Sequence, residues 1–234
     1  MQKEKLINNL KNVQENIKIA AAKADRNYED VKILAVSKKH SHEEVKILKQ
    51  AGVKLFGENR VQELEEKNEN LLSDDIKIDW HFIGHLQRNK VKYLMRMENC
   101  RMIQSIDSLR LAKEVNKRAK KNDRKIPVLV EINISGDENK FGIAPEKAEE
   151  FLKKIINLDF LEIEGLMTIL PYLDDSEKLR SYFKKMKKLF DKLSAEVIPL
   201  NELSMGMTND YQIAVEEGST IVRVGTAIFG EREY

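Results

Sequence analysis

Hydrophobic residues recur along this chain in two alternating periods. Short apolar runs rich in β-branched residues stand at V-K-I-L-A-V-S (31–37), K-L-F-G-E-N (54–59), D-W-H-F-I-G (79–84) and M-I-Q-S-I-D (102–107). The series continues at P-V-L-V-E-I-N-I-S (127–135), E-I-E-G-L-M-T-I (162–169), E-L-S-M-G (202–206) and T-I-V-R-V-G (220–225). Each run predicts a strand, and the segments between them carry helical spacing. The stretch 43–51 opens at Ser41 and closes at Gly52. Ser108 is the expected N-cap of 108–121, and Pro145 the first helical residue of 145–157. A helix over 4–22 gathers Leu6, Leu10, Val13, Ile17 and Ala21 on one face, and one over 178–193 gathers Leu179, Tyr182, Phe183, Met186, Leu189, Phe190 and Leu193.

Eight strands separated by helices within 234 residues predict an α/β fold, a single (β/α)8 TIM barrel spanning 1–234 with an extra N-terminal helix. An open doubly wound sheet is the rival, and even spacing favours closure. The sequence ends at G-E-R-E-Y, directly after the eighth run. No C-terminal helix is therefore expected to cover that strand, and the helix at 4–22 is the expected substitute.

Charge changes the picture by what it removes. The 41 basic and 39 acidic residues nearly cancel, so no global field selects nucleic acid or an anionic membrane. The basic side of 178–193 then reads as a solvated outer helix. A single cysteine, Cys100, allows no intramolecular disulfide and fits a reducing compartment. There is no apolar run of membrane-spanning length and no apolar core of a secretory signal. The expectation is a cytoplasmic monomer with no nucleic-acid or membrane partner. His81 and His85 have the spacing of a helical zinc pair, but W-H-F-I-G reads as a strand and no cysteine or carboxylate cluster completes a ligand set. No metal site is expected; His85 and Asn89 are expected to shape the barrel mouth.

In such barrels function gathers at the carboxyl ends of the strands, and phosphates favour the loops after strands seven and eight. Here those loops are S-M-G-M-T-N-D and V-G-T-A. Glycine lets backbone amides approach an anion, consecutive N–H groups form anion-binding nests, and Ser204 and Thr226 add hydroxyls. Thr208 or Asn209 is a candidate to begin the next helix and aim its positive end at the site. Spacing alone leaves open that these glycines only make turns. Strand one ends in A-V-S-K, and alternation puts Lys38 on the side of Leu34 and Val36. An amine facing an anion cradle suits attack on a phosphorylated aldehyde. Bringing a lysine from about 10.4 to neutral pH takes roughly 4 kcal/mol, which an apolar wall and a nearby cation, Arg223, could supply. Position alone favours a snorkelling surface lysine at 38.

The segments L-A-V-S-K, F-G-E-N-R-V-Q-E, W-H-F-I-G-H-L-Q-R-N-K, I-N-I-S-G-D-E-N-K-F-G, G-L-M-T-I, L-S-M-G-M-T-N-D and V-R-V-G-T-A-I-F-G together span 34–230. In that order the chain resembles the YggS/PROSC-type pyridoxal-phosphate homeostasis proteins, which share the alanine racemase N-terminal barrel. The resemblance implies pyridoxal 5'-phosphate (PLP) as cofactor, held by Lys38 as an internal aldimine. It implies Ser204, Gly225 and Thr226 as phosphate ligands, with Met205 and Gly206 supplying nearby backbone. Arg223 is implied to face the pyridine nitrogen, Asn59 to lie beside the ring, and Lys140 to stand at the same rim, where a role in cofactor capture or release is one reading and a plain exposed loop lysine the other. Two loops depart from the family pattern: K-K-H-S after Ser37, and Thr208-Asn209.

Arginine can only donate, so a pyridine nitrogen facing it stays unprotonated and the ring is a weak electron sink. Racemisation also needs a second acid/base group on the opposite face. In alanine-racemase-like enzymes that group is a tyrosine from a partner subunit's C-terminal β-domain. The only terminal tyrosine here, Tyr234, is a poor replacement. The expectation is a non-catalytic carrier or regulator that passes PLP to PLP-dependent apo-enzymes; the alternative is a fold-type III PLP enzyme, an amino-acid racemase or decarboxylase.

Overall fold

The β-branched and leucine-rich runs become β1 (Lys32–Val36), β2 (Leu55–Glu58), β3 (Asp79–Phe82), β4 (Cys100–Ile106), β5 (Ile126–Glu131), β6 (Leu161–Met167), β7 (Glu202–Met207) and β8 (Ile221–Val224) in a computed structural model that describes residues 2–231. Tyr234 lies outside the described residues. The strands pair in parallel and in chain order, and β8 returns to β1 with Leu34 opposite Arg223, closing the barrel. Around it run α1 (Gln2–Lys23), α2 (His42–Gln50), α3 (Val61–Ser73), α4 (Val91–Arg96), α5 (Leu109–Lys121), α6 (Ala148–Ile155), α7 (Ser176–Glu196), α8 (Tyr211–Glu216) and α9 (Thr226–Phe229).

Local chemistry sets the boundaries. Ser41 and Glu44 form a reciprocal capping box at the start of α2, each satisfying the other's backbone N–H (3.2 and 2.8 Å). Ser108 accepts from the Leu111 amide and opens α5. Pro145 does not begin one long helix: it opens a 3-10 turn, Pro145–Lys147, that feeds α6, which ends at Ile155. Helix α7 starts before 178 because the Asp175 carboxylate accepts from the Glu177 and Lys178 amides. Neither Thr208 nor Asn209 starts α8; Asp210 precedes it, with its carboxylate accepting from the Met207 amide at 2.5 Å. Strand β5 stops at Glu131, short of 135, because Asn133 knots the next loop by accepting from Gly136 N–H and donating to the Asp137 carbonyl.

The end of the barrel corrects one expectation. A single helical turn, α9, does follow β8. Helix α1 packs across α8 and α9, with Leu6, Leu10, Val13, Ile17, Ala20 and Ala21 buried. Asn9 donates to the Ile228 carbonyl and Asn16 to the Tyr211 hydroxyl, both at 3.0 Å, which fixes the crossing. Each of the larger apolar side chains contributes about 2 kcal/mol by leaving water. The main apolar core lies between sheet and helices, while Met102, Leu129 and Met167 fill the barrel interior. Cys100 is buried, and burial pushes its thiol up to about 12, leaving it inert at neutral pH. Among the described residues, no helix is long and apolar enough to cross a membrane.

Candidate functional site

A cavity of about 460 Å³ opens at the carboxyl ends of the strands, within the ~300–1,000 Å³ of small-molecule sites. Val36, the last residue of β1, and Lys38 both line it, as alternation requires. Arg223 from β8 and Glu131 from β5 line the same space. Asn59 follows β2, and Gly225 and Thr226 follow β8, all on the same wall. Five expected residues, Lys38, Asn59, Arg223, Gly225 and Thr226, therefore converge.

Ser204, Met205 and Gly206 do not line the cavity. Strand β7 continues to Met207, and its register against β8 shifts between Ser204 and Met207. Gly206 makes that shift with φ +92°, a backbone shape glycine adopts without strain. A Cβ there would also lie 2.5 Å from the Ala214 Cβ, so the glycine admits α8. Met205 points outward and is buried in the main core. The mouth is instead built from Met207, Thr208, Asn209 and Asp210. Thr208 Oγ1 accepts from the Ala227 amide at 3.3 Å, tying the β7 loop to the start of α9.

Ser204 has a different post. It is wholly buried beneath Arg223 and takes part in a polar chain across the barrel interior. Arg223 donates to Ser204 Oγ at 2.7 Å and, through its other terminal nitrogen, to the Thr168 carbonyl at 2.7 Å. Because arginine only donates, the Ser204 hydroxyl turns its proton to Gln104 Oε1, 2.7 Å away. Gln104 then donates through Nε2 to His81 Nδ1 at 2.9 Å, which puts the imidazole proton on Nε2. Burial, helped by Lys32, lowers the His81 pKa to about 4, so this ring is neutral at physiological pH.

Arg223 and Glu131, opposite in charge, face the cavity. Burial lowers Arg223 to about 10 against the pull of Asp210 and Glu131, so it stays a cation at neutral pH. Burial and the Asp107 charge push Glu131 up to about 7, while Arg223 and Lys140 draw it down. Lys140 borders the site: its ammonium donates to the carbonyl of Ile169, a wall residue, and burial lowers its pKa. At the outer rim the His85 ring stacks on Phe141 with centroids 3.7 Å apart, and His85 Nδ1 meets Asp107 at 3.0 Å. Asn89 stands apart, in a shallow depression beside His85. His81, inside the barrel, and His85, on the rim, share no face, and no metal-holding group of His, Cys, Asp or Glu occurs among the described residues.

Sequence reasoning missed Glu131 and Asp210 and gave Thr208 only a helix-starting role. Glu131 carried a visible signal, a carboxylate in the apolar run V-L-V-E-I; Thr208 and Asp210 depended on where β7 ends.

The family of the alanine racemase N-terminal domain matches residues 8–233. A pyridoxal phosphate homeostasis protein from Aquifex aeolicus is 48% identical over 184 residues, covering 78% of this chain and 79% of its own. One from Haemophilus influenzae is 41% identical over 229 residues, covering 97% and 95%. Among solved structures, PipY of Synechococcus elongatus with PLP bound superposes with a TM-score of 0.80 at 31% identity, over 92% of this chain and 100% of that one.

Proposed function

The chain belongs to the alanine racemase N-terminal domain family and, within it, to the pyridoxal phosphate homeostasis proteins, and from that premise we propose that its cavity binds PLP in order to hold and supply the cofactor, without robust catalysis of its own. One observation carries the reading. A lysine, a buried arginine and the loops after β7 and β8 meet around one cavity of cofactor size.

The residues suit the group. Lys38 supplies the amine that anchors it. The phosphate is held by the Thr208 and Thr226 hydroxyls and by backbone amides where α9 begins. At Gly225 an added Cβ would lie 3.3 Å from the Val36 carbonyl, so glycine lets the end of β8 pack closely on β1. Arg223 meets the pyridine nitrogen as a donor, held in place by Ser204 and the Thr168 carbonyl. In this reading Ser204, Met205 and Gly206 set the height of the arginine and the path of the β7 loop. Asn59 flanks the ring.

When bound, PLP would supply a reactive aldehyde, and Lys38 would hold the amine that receives it. Arg223 keeps its proton and leaves the ring nitrogen unprotonated, which disfavours carbanion chemistry. Reversible attachment at a solvent-open mouth suits exchange with the amines of PLP-dependent apo-enzymes. We read the protein as a cytoplasmic monomer in that role.

The test is an absorbance spectrum of the purified protein with added PLP, before and after borohydride, followed by mass-spectrometric mapping. A label on Lys38, lost in Lys38→Ala, is the expected result. A label elsewhere, or none, overturns the reading. Sustained turnover of a D- or L-amino acid that disappears in Lys38→Ala would establish a racemase or decarboxylase instead.

A further inference from the structure

Behind Lys38 lies an ionic cluster, buried at Glu58 and Lys67 and half-buried at Glu63, that does not line the cavity. Helix α3 starts just past Asn59, and its Glu63 and Lys67 are one turn apart on the face turned to the β1 loop. The buried Lys67 ammonium donates to the Ser37 carbonyl (2.6 Å), Glu58 Oε1 (2.6 Å) and Glu63 Oε1 (2.8 Å), which uses all three of its protons. Glu58 Oε1 also accepts from the Ser37 hydroxyl at 2.6 Å, and Glu63 Oε1 accepts from the Lys39 backbone N–H. Ser37 N–H is held by the Gly57 carbonyl at 3.1 Å.

These bonds fall on the two residues that flank Lys38. Lys39 stands at φ +64°, a left-handed shape that a non-glycine residue keeps only when its surroundings hold it. Buried ion pairs are poor sources of stability, since apolar replacements of similar volume often do as well. A cluster that spends its bonds on the neighbours of one side chain is better explained by placement. We propose that Glu58, Lys67 and Glu63 form a latch that fixes the backbone on both sides of Lys38 and so aims its amine into the cavity. This rests on Lys38 being the PLP anchor, and it makes Lys67 and Glu63 positioning residues.

The experiment compares the full chain with its Glu63→Ala, Glu63→Gln and Lys39→Val variants by two readouts. Amide hydrogen exchange at residues 37–40 without PLP reports the latch. Absorbance titration with PLP reports placement of the amine. Glu63→Ala is expected to speed exchange at 37–40 and weaken PLP affinity about tenfold, the size of one charge-assisted hydrogen bond. Glu63→Gln keeps an acceptor oxygen and is expected to restore most of both. Lys39→Val, whose β-branched side chain resists positive φ, is expected to mimic Glu63→Ala with the Glu63–Lys67 pair left in place. Unchanged exchange in Glu63→Ala, or faster exchange with unchanged affinity, overturns the latch; so does equal loss of affinity in the Ala and Gln variants. Absence of a borohydride-trapped label on Lys38 in the parent protein overturns the function instead, and the exchange data still decide whether the latch exists.

Discussion

Glu131 offers a prediction whose size follows from its surroundings. Its carboxyl is buried at the end of β5, and burial together with the Asp107 charge raises its pKa from an ordinary 4.5 to about 7. Between those two values the folded chain binds more protons at this group than the unfolded chain does, so stability falls as pH rises through the window. At about 1.4 kcal/mol per pH unit, the ionised carboxylate costs the folded protein about 3 kcal/mol above pH 7. Glu131→Gln removes that cost and keeps the shape. Against wild type, the substitution should be neutral near pH 4.5, gain steadily to pH 7 and stay level above it. For a domain of this size about 3 kcal/mol corresponds to roughly 6–12 °C in Tm. Paired thermal unfolding by circular dichroism at pH 4.5, 6, 7 and 8.5, without PLP, measures it. A Tm difference that does not vary with pH, or a variant less stable at pH 8.5, refutes the assignment of a raised carboxyl in the cavity wall.

Ser204→Ala should lower Tm, because Gln104 and one Arg223 N–H lose a buried partner, a change of about 1–3 kcal/mol; a fall in PLP affinity with Tm unchanged would return Ser204 to the phosphate. Gly84→Ala should destabilise the fold by about 1–3 kcal/mol and weaken PLP binding, since the added Cβ collides with the Asn59 backbone. Wild-type Tm and titration curves in that variant would show that Asn59 does not need its present place.

The barrel was legible because its strands are short, apolar and evenly spaced, and because α1 carries a clean apolar face over 22 residues. Helices α4 and α9 were not, since six and four residues are too few to display a helical period, and α8 was expected but begins later than Thr208 or Asn209. Lys38 and Arg223 could be placed because both follow the simple alternation of a strand. Ser204, Met205 and Gly206 could not, because the register shift at Gly206 is a tertiary event, decided by how closely α8 approaches. The polar chain through the barrel was equally hidden. Ser204 and Gln104 stand 100 residues apart, and only closure of the sheet brings them within 2.7 Å.

The crossing of α1 over α8 and α9 has a consequence for synthesis. The apolar stripe from Leu6 to Ala21 is translated before the elements that bury it, which span Tyr211 to Phe229. At about 5–20 residues per second, roughly 10–40 seconds separate the two. During that interval the nascent chain carries an amphipathic helix covered only in part, by α2 and the turn at Tyr28–Asp30, a natural landing place for a ribosome-associated chaperone.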